Sequence, residues 1–169
     1  MQEAAQLVHA LLGELGLQAW LKTSGGKGLH VVVPIAPRWS YDAVKDLSQA
    51  MVAHLARTLP DRFVAKSGAS NRVGRIFVDY LRNGFGATTA TAFSARARPG
   101  LGVSMPVAWE QLPQLKGGAQ WTVATAREHL SFQREDPWAG YAAARQSIVG
   151  AARRLGFKLP AAAPERARG

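Results

Sequence analysis

Three clusters in this sequence combine residue types and spacings suited to holding phosphate. The first is Ser24-Gly25-Gly26-Lys27-Gly28-Leu29-His30. Glycines so closely spaced let the backbone approach a ligand and turn successive N–H groups into one concavity, a nest for phosphate. Lys27 adds a positive charge, Ser24 a hydroxyl, and His30 stands at the mouth of an otherwise apolar run. The Gly-x4-Gly-Lys-Ser/Thr spacing of a P-loop is absent, and a strand follows where a P-loop has a helix. A glycine hairpin with a purely structural role is the alternative. The second cluster is Ile76-Phe77-Val78-Asp79-Tyr80-Leu81. Read as a strand, it puts Asp79 on one face with Phe77 and Leu81. An unpaired carboxylate among apolar neighbours is costly, so Asp79 needs Arg75, Arg82 or a divalent ion. The third is Phe93-Ser94-Ala95-Arg96-Ala97-Arg98-Pro99-Gly100. Arg96 and Arg98 share a face at period two, either as a double clamp for phosphate or on a solvated edge strand.

The charge supports an anionic partner. The 169 residues hold 21 Lys and Arg against 11 Asp and Glu, a formal net charge of +10. Between Arg57 and Arg98, eight cations, among them Arg72, Arg75 and Arg82, face only Asp61 and Asp79. A planar guanidinium matches phosphate oxygens in two-point contacts, so this stretch suggests a polyphosphate or nucleic acid. A solvated basic surface is the bland alternative. Cysteine is absent, which excludes a disulfide framework, thiol catalysis and Cys-ligated metal sites. No apolar run approaches the ~18 residues of a membrane span, and the acidic amphipathic start does not resemble a signal peptide. The expectation is a soluble, cytoplasmic, basic domain with no membrane partner.

Elements to carry these clusters can be read from the pattern. Ala5, Val8, Leu11, Leu12 and Leu15 fall at helical spacing, and Gly16 is a fitting stop. Residues 29–33 read as a buried strand ended by Pro34. Ser40 is a plausible N-cap for a helix ending near Pro60. Residues 75–81 read as a strand, 63–64 and 88–94 as further candidates, and 103–107 as a weaker one. One helical turn is expected at 109–112, and helices at about 122–133 and 137–155, the last opened by Asp136-Pro137. Trp109, Trp121 and Trp138 read as packing residues, and His9, His54 and His129 as helix-surface ones. Residues 160–169 are rich in Ala, Pro and Arg and read as disordered. Interleaved helices and strands make the class α/β or α+β.

LKTSGGKGLHVVVPI, then RIFVDYLRNGFGATT, then FSARARPG with MPVAWEQL downstream, resembles the polymerase domain of bacterial ATP-dependent DNA ligase D, within the archaeo-eukaryotic primase superfamily. The resemblance runs from the first helix to about Phe132. It implies a primase-like catalytic core, a mixed sheet packed by helices, over residues 1–156, with a tail at 157–169. The implied activity is nucleotide addition at DNA ends in non-homologous end joining, with Mn²⁺ or Mg²⁺, NTP or dNTP, and Ku and a DNA ligase domain as partners. The implied location is the bacterial cytoplasm, at the nucleoid. Carried over by motif, Ser24, Gly25, Lys27, His30, Arg82 and Arg96 contact the nucleotide, Asp79 is the catalytic metal-binding carboxylate, and Arg72 and Arg75 face DNA.

One departure is sharp. The family's Asp-x-Asp pair occurs nowhere in the sequence, whose aspartates are Asp42, Asp46, Asp61, Asp79 and Asp136. Two-metal phosphoryl transfer needs anionic ligands for two cations. The expectation is therefore a core truncated on its N-terminal side and inactive alone, complemented by a segment that carries the pair. A non-catalytic nucleotide- or DNA-binding module and a degenerate remnant are the alternatives.

Overall fold

The first helix, α1 (Gln2–Glu14), forms where apolar residues recur on one face, burying Ala4, Ala5, Leu11 and Leu12. It belongs to the first of two compact units in the computed structural model, which describes residues 1–68 and 70–161, apart from the side chain of Arg72. This unit takes Met1–Pro34 and Thr89–Gln146; the second takes Ile35–Thr88 and the chain from Ser147 on.

In the first unit, β1 (Trp20–Thr23) is the central strand of a three-stranded sheet. It pairs antiparallel with β2 (Leu29–Val32) on one side and with β3 (Pro106–Val107) on the other. The register sets Lys22 opposite His30 in β2 and opposite Pro106 in β3. All four residues of β1 are buried, and Leu21 packs with Ala5, Val107, Leu112 and Leu115. Burying one such leucine contributes roughly 1.5–3 kcal/mol. A 3₁₀ segment, Trp109–Gln114, closes this core, and α3 (Val123–Phe132) follows without burying a residue.

In the second unit, α2 (Tyr41–Thr58) starts where the Ser40 hydroxyl oxygen accepts from the Ala43 N–H at 3.2 Å. Leu47 packs on Ile148 and Ala152, the latter in α4 (Val149–Arg154). Phe157 and Leu159 join that cluster, so packing continues into the segment expected to be tail. Residues 162–169 of that tail lie outside the described residues. No helix among the described residues is long and apolar enough to cross a membrane.

Several elements differ from the pattern reading. Strand β2 is half-buried along its whole length because it lies at the sheet edge. Residues 75–81 do not form a strand: only Ile76 pairs, in an isolated parallel bridge with Phe63. The Asp79 carboxylate accepts the Leu81 N–H at 3.1 Å instead, and a 3₁₀ turn, Leu81–Asn83, follows at once. Short polar side chains compete with ladders in this way. Residues 88–94 turn as well, with Phe93 at φ 64 and the Ser94 hydroxyl donating to the Thr91 carbonyl. The long helix expected over 137–155 is reduced to α4. Gly140 takes a left-handed φ of 79, and the flanking aromatics are held elsewhere: the Trp138 indole donates to the Leu21 carbonyl at 2.7 Å, and Tyr141 meets Trp20 edge-on.

Replacing Ser40 by Ala should lower stability by about 1 kcal/mol in urea unfolding, while Asp, another good N-cap, should restore it.

Candidate functional site

The turn between β1 and β2 is built as a clasp. The Ser24 hydroxyl oxygen accepts the N–H groups of Gly26 and Gly28, both at 3.1 Å, and the Ser24 N–H donates to the Gly28 carbonyl at 3.0 Å. Two of the N–H groups expected to point at a ligand thus shape the loop. Gly25 is buried with φ 66, and a Cβ there would lie 2.7 Å from the Gly102 carbonyl oxygen and 2.8 Å from Arg96 Cγ. Across the loop, a Cβ on Gly118 would run into the Gly28 backbone and the Gly26 carbonyl. Glycine is needed at Gly25 and Gly118 because three backbone segments approach one another there.

Arg96 lies over this clasp and donates to the Ser24 carbonyl at 3.3 Å. Its own N–H donates to the Gly102 carbonyl. Arg98 is exposed, and its N–H turns back to the Arg96 carbonyl at 2.8 Å. Lys27 is exposed at the loop's tip. There an open groove of about 440 Å³ runs between Gly26 and Lys27 on one side and residues 116–120, including Lys116, on the other. Lys27, Lys116 and three glycines line that groove, a setting compatible with phosphate.

Beneath the loop is a buried charge. Lys22 is 4% exposed, and its Nζ lies 2.7 Å from His30 Nδ1, 2.7 Å from the Ala90 carbonyl oxygen and 2.8 Å from Ser104 Oγ. Burial, and secondarily the Arg96 charge, pushes its ammonium down from the ordinary 10.5 to about 8. The first unit therefore brings Ser24, Gly25, Lys27, His30 and Arg96 to one end of the sheet, where β1 and β2 meet their connecting loop.

Asp79, Arg82, Arg75 and Arg72 belong to the second unit. Asp79 is not set among apolar residues as the strand reading had it: its side chain is 48% exposed. The Arg82 Nε lies 3.5 Å from its Oδ2, and Arg82 also donates to the Thr88 carbonyl at 3.3 Å. An exposed pair of this kind contributes at most about 1 kcal/mol. Arg75 is exposed. Arg72 ends a 3₁₀ turn, Ser70–Arg72, and its side chain lies outside the described residues. Among the described residues, no cluster of three or more His, Cys, Asp or Glu could hold a metal ion. One carboxylate, already facing a guanidinium and a backbone N–H, does not fit a resident pair of divalent cations.

Residues 1–138 match the family described as LigD, primase-polymerase domain. The chain belongs to that family. It is 55% identical over 155 residues to the multifunctional non-homologous end joining protein LigD of Pseudomonas aeruginosa, covering 91% of this chain and 18% of that protein. It is 33% identical over 116 residues to the protein of the same description from Mycolicibacterium smegmatis, covering 68% of this chain and 15% of that one. Among solved structures it is similar to the polymerase domain from Mycobacterium tuberculosis ligase D in complex with DNA. That match has a TM-score of 0.65 and 30% identity, over 70% of this chain and 42% of that domain. The chain thus spans less than a fifth of the length of these two LigD relatives.

Two site residues of this LigD primase-polymerase chain escape the motif reading. Lys116 reaches the groove from a distant turn that no local pattern marks. Lys22 did leave a signal, as a lysine inside an apolar strand, but only the register shows that it faces His30. The tryptophans pack as expected. Trp109 donates to the Ala19 carbonyl, but it also stacks on His9 with ring centroids 3.7 Å apart. His129 similarly lies beside Trp121. Neither histidine is simply a surface group: burial lowers both below the ordinary value, Glu110 partly opposing this at His9.

Two outcomes are expected. Gly118→Ala should cost roughly 1–3 kcal/mol, as overpacking does, with amide shifts concentrated at Gly26 and Gly28. Lys22 binds its proton less tightly folded than unfolded, so stability should rise with pH from about 8 to 10.5. Parallel denaturant titrations of the native chain and Lys22→Met should show that rise only in the native chain.

Proposed function

We propose that this chain is a nucleotide- and DNA-end-binding part of a LigD polymerase domain acting in non-homologous end joining. The observation that carries this reading is the gathering of Arg96, His30 and the Lys27 loop at one end of the first unit's sheet, at positions matching the family motifs. In this reading, Arg96 and His30 engage the triphosphate of an NTP or dNTP, aided by Lys27 and the Ser24 loop. Arg82 is a further proposed nucleotide contact by its place in the motif, and Arg72 and Arg75 meet DNA phosphates. Ku and a DNA ligase domain are the proposed protein partners.

The chain alone does not add nucleotides. Asp79 offers one carboxylate to a Mn²⁺ or Mg²⁺ ion, and no Asp-x-Asp pair occurs in the sequence to supply more. Chemistry therefore awaits a polypeptide that carries those carboxylates. What these residues do themselves is bind and orient: guanidinium and imidazole donors match phosphate oxygens, and charge-assisted bonds of this kind contribute roughly 1.5–3 kcal/mol each. The inward-turned Ser24 hydroxyl favours a second reading, in which the motif only supports the fold.

A fluorescent nucleotide triphosphate separates the two. Saturable binding, weakened about 10-fold or more in Arg96→Ala, supports the proposal; no binding leaves the structural reading. For duplex DNA ends, log affinity should fall against log salt with a slope of about −0.9 per neutralised phosphate, and Arg75→Ala should flatten it. Primer extension by the chain alone should be absent in manganese or magnesium. Extension would refute the claim of inactivity.

A further inference from the structure

Lys22 is the one buried charged residue among the described residues, and the motif reading gave it no role. Its surroundings allow little choice of proton arrangement. The Ala90 carbonyl can only accept. Ser104 Oγ gives its own proton to the Thr23 carbonyl at 2.8 Å, so toward Lys22 it also accepts. Two of the three ammonium N–H bonds are thereby assigned. The third points at His30 Nδ1, 2.7 Å away across the antiparallel pair. A proton on Nδ1 would face an ammonium proton at that distance, so Nδ1 must present its lone pair. In a neutral imidazole the remaining proton is then on Nε2.

We propose that Lys22 is a positioning residue for His30: its ammonium donates to Nδ1 and holds the imidazole as the Nε2–H tautomer, so that the ring offers a donor to an anionic phosphate oxygen. The proposal rests on the reading of His30 as a triphosphate contact and adds what keeps that ring in the useful state. The opposite tautomer would turn a lone pair toward the anion and repel it. The same geometry contains the alternative state. If Lys22 loses its proton, its two remaining N–H bonds still satisfy Ala90 and Ser104, and its lone pair accepts from Nδ1–H, which inverts the ring. The charged or titratable groups bearing on Lys22 are His30 across the strand pair and the Arg96 guanidinium. Burial and Arg96 bring the ammonium down to about 8, so the inversion belongs just above neutral pH.

The test reads the ring directly. Long-range ¹⁵N–¹H spectra of the full chain, with His30 assigned by its loss in His30→Gln, should show the Nε2–H form at pH 7. They should show a shift toward Nδ1–H as pH passes about 8. In Lys22→Met the pH 7 preference should disappear. Binding of a fluorescent nucleotide triphosphate should weaken about fivefold in Lys22→Met, the scale of one modest hydrogen bond. The double variant should bind no more weakly than His30→Gln alone, since Lys22 acts through that ring. An Nδ1–H or doubly protonated ring in the native chain at pH 7 would overturn the proposal, as would an unchanged tautomer in Lys22→Met or additive losses in the double variant. If Lys22→Met does not fold, the native spectra across pH still decide. If the tautomer pattern holds but no nucleotide binds, the proposed function fails while the role of Lys22 in fixing the ring stands.

Discussion

A buried ammonium must have every proton accepted, and in the first unit that requirement organises the site. Lys22 reaches the His30 ring on β2, the Ala90 carbonyl and Ser104 just before β3. A charge left unpaired at such depth would be strongly destabilising, so the three segments are held to one arrangement. Ser104 and Thr23 extend the network: the Thr23 hydroxyl donates to the Val103 carbonyl and accepts from the Met105 N–H. Polar order in β1 therefore runs alongside the apolar packing of Leu21, and the glycine loop above inherits its position from both.

The sequence made the large features plain for particular reasons. Both long helices carry a sustained apolar period, and Ser40 supplies a recognisable cap. Glycine punctuation marked the loop, and the motif order pointed to the family to which residues 1–138 belong. What escaped was decided by competition between local and distant groups. The segment around Asp79 alternates like a strand, but the carboxylate captures a backbone N–H two residues on. The segment before α4 has helical composition, yet Trp138 and Tyr141 are held by Leu21 and Trp20. The glycine loop looked like an open nest, whereas Ser24 draws two of its N–H groups inward. No pattern along the chain reports whether a donor turns toward its own turn or outward.

The two units hold different sets of candidate residues. The first gathers cations and neutral donors: Arg96, Lys27, Lys116 and the Lys22–His30 pair. The second holds one carboxylate, Asp79, facing Arg82, together with Arg72 and Arg75. A surface rich in donors suits a phosphorylated ligand, while a lone carboxylate opposite a guanidinium gathers little negative potential.

Phe93 and Leu101, at φ 64 and 45, flank the Arg96 segment in a backbone region that bulky side chains avoid. Both side chains are largely exposed, so core packing gives no compensation for that conformation. Glycine, ordinarily the residue a thermostability campaign removes, is the replacement to try first at these two positions, where relief of a left-handed penalty of roughly 1–2 kcal/mol competes with a more flexible unfolded chain.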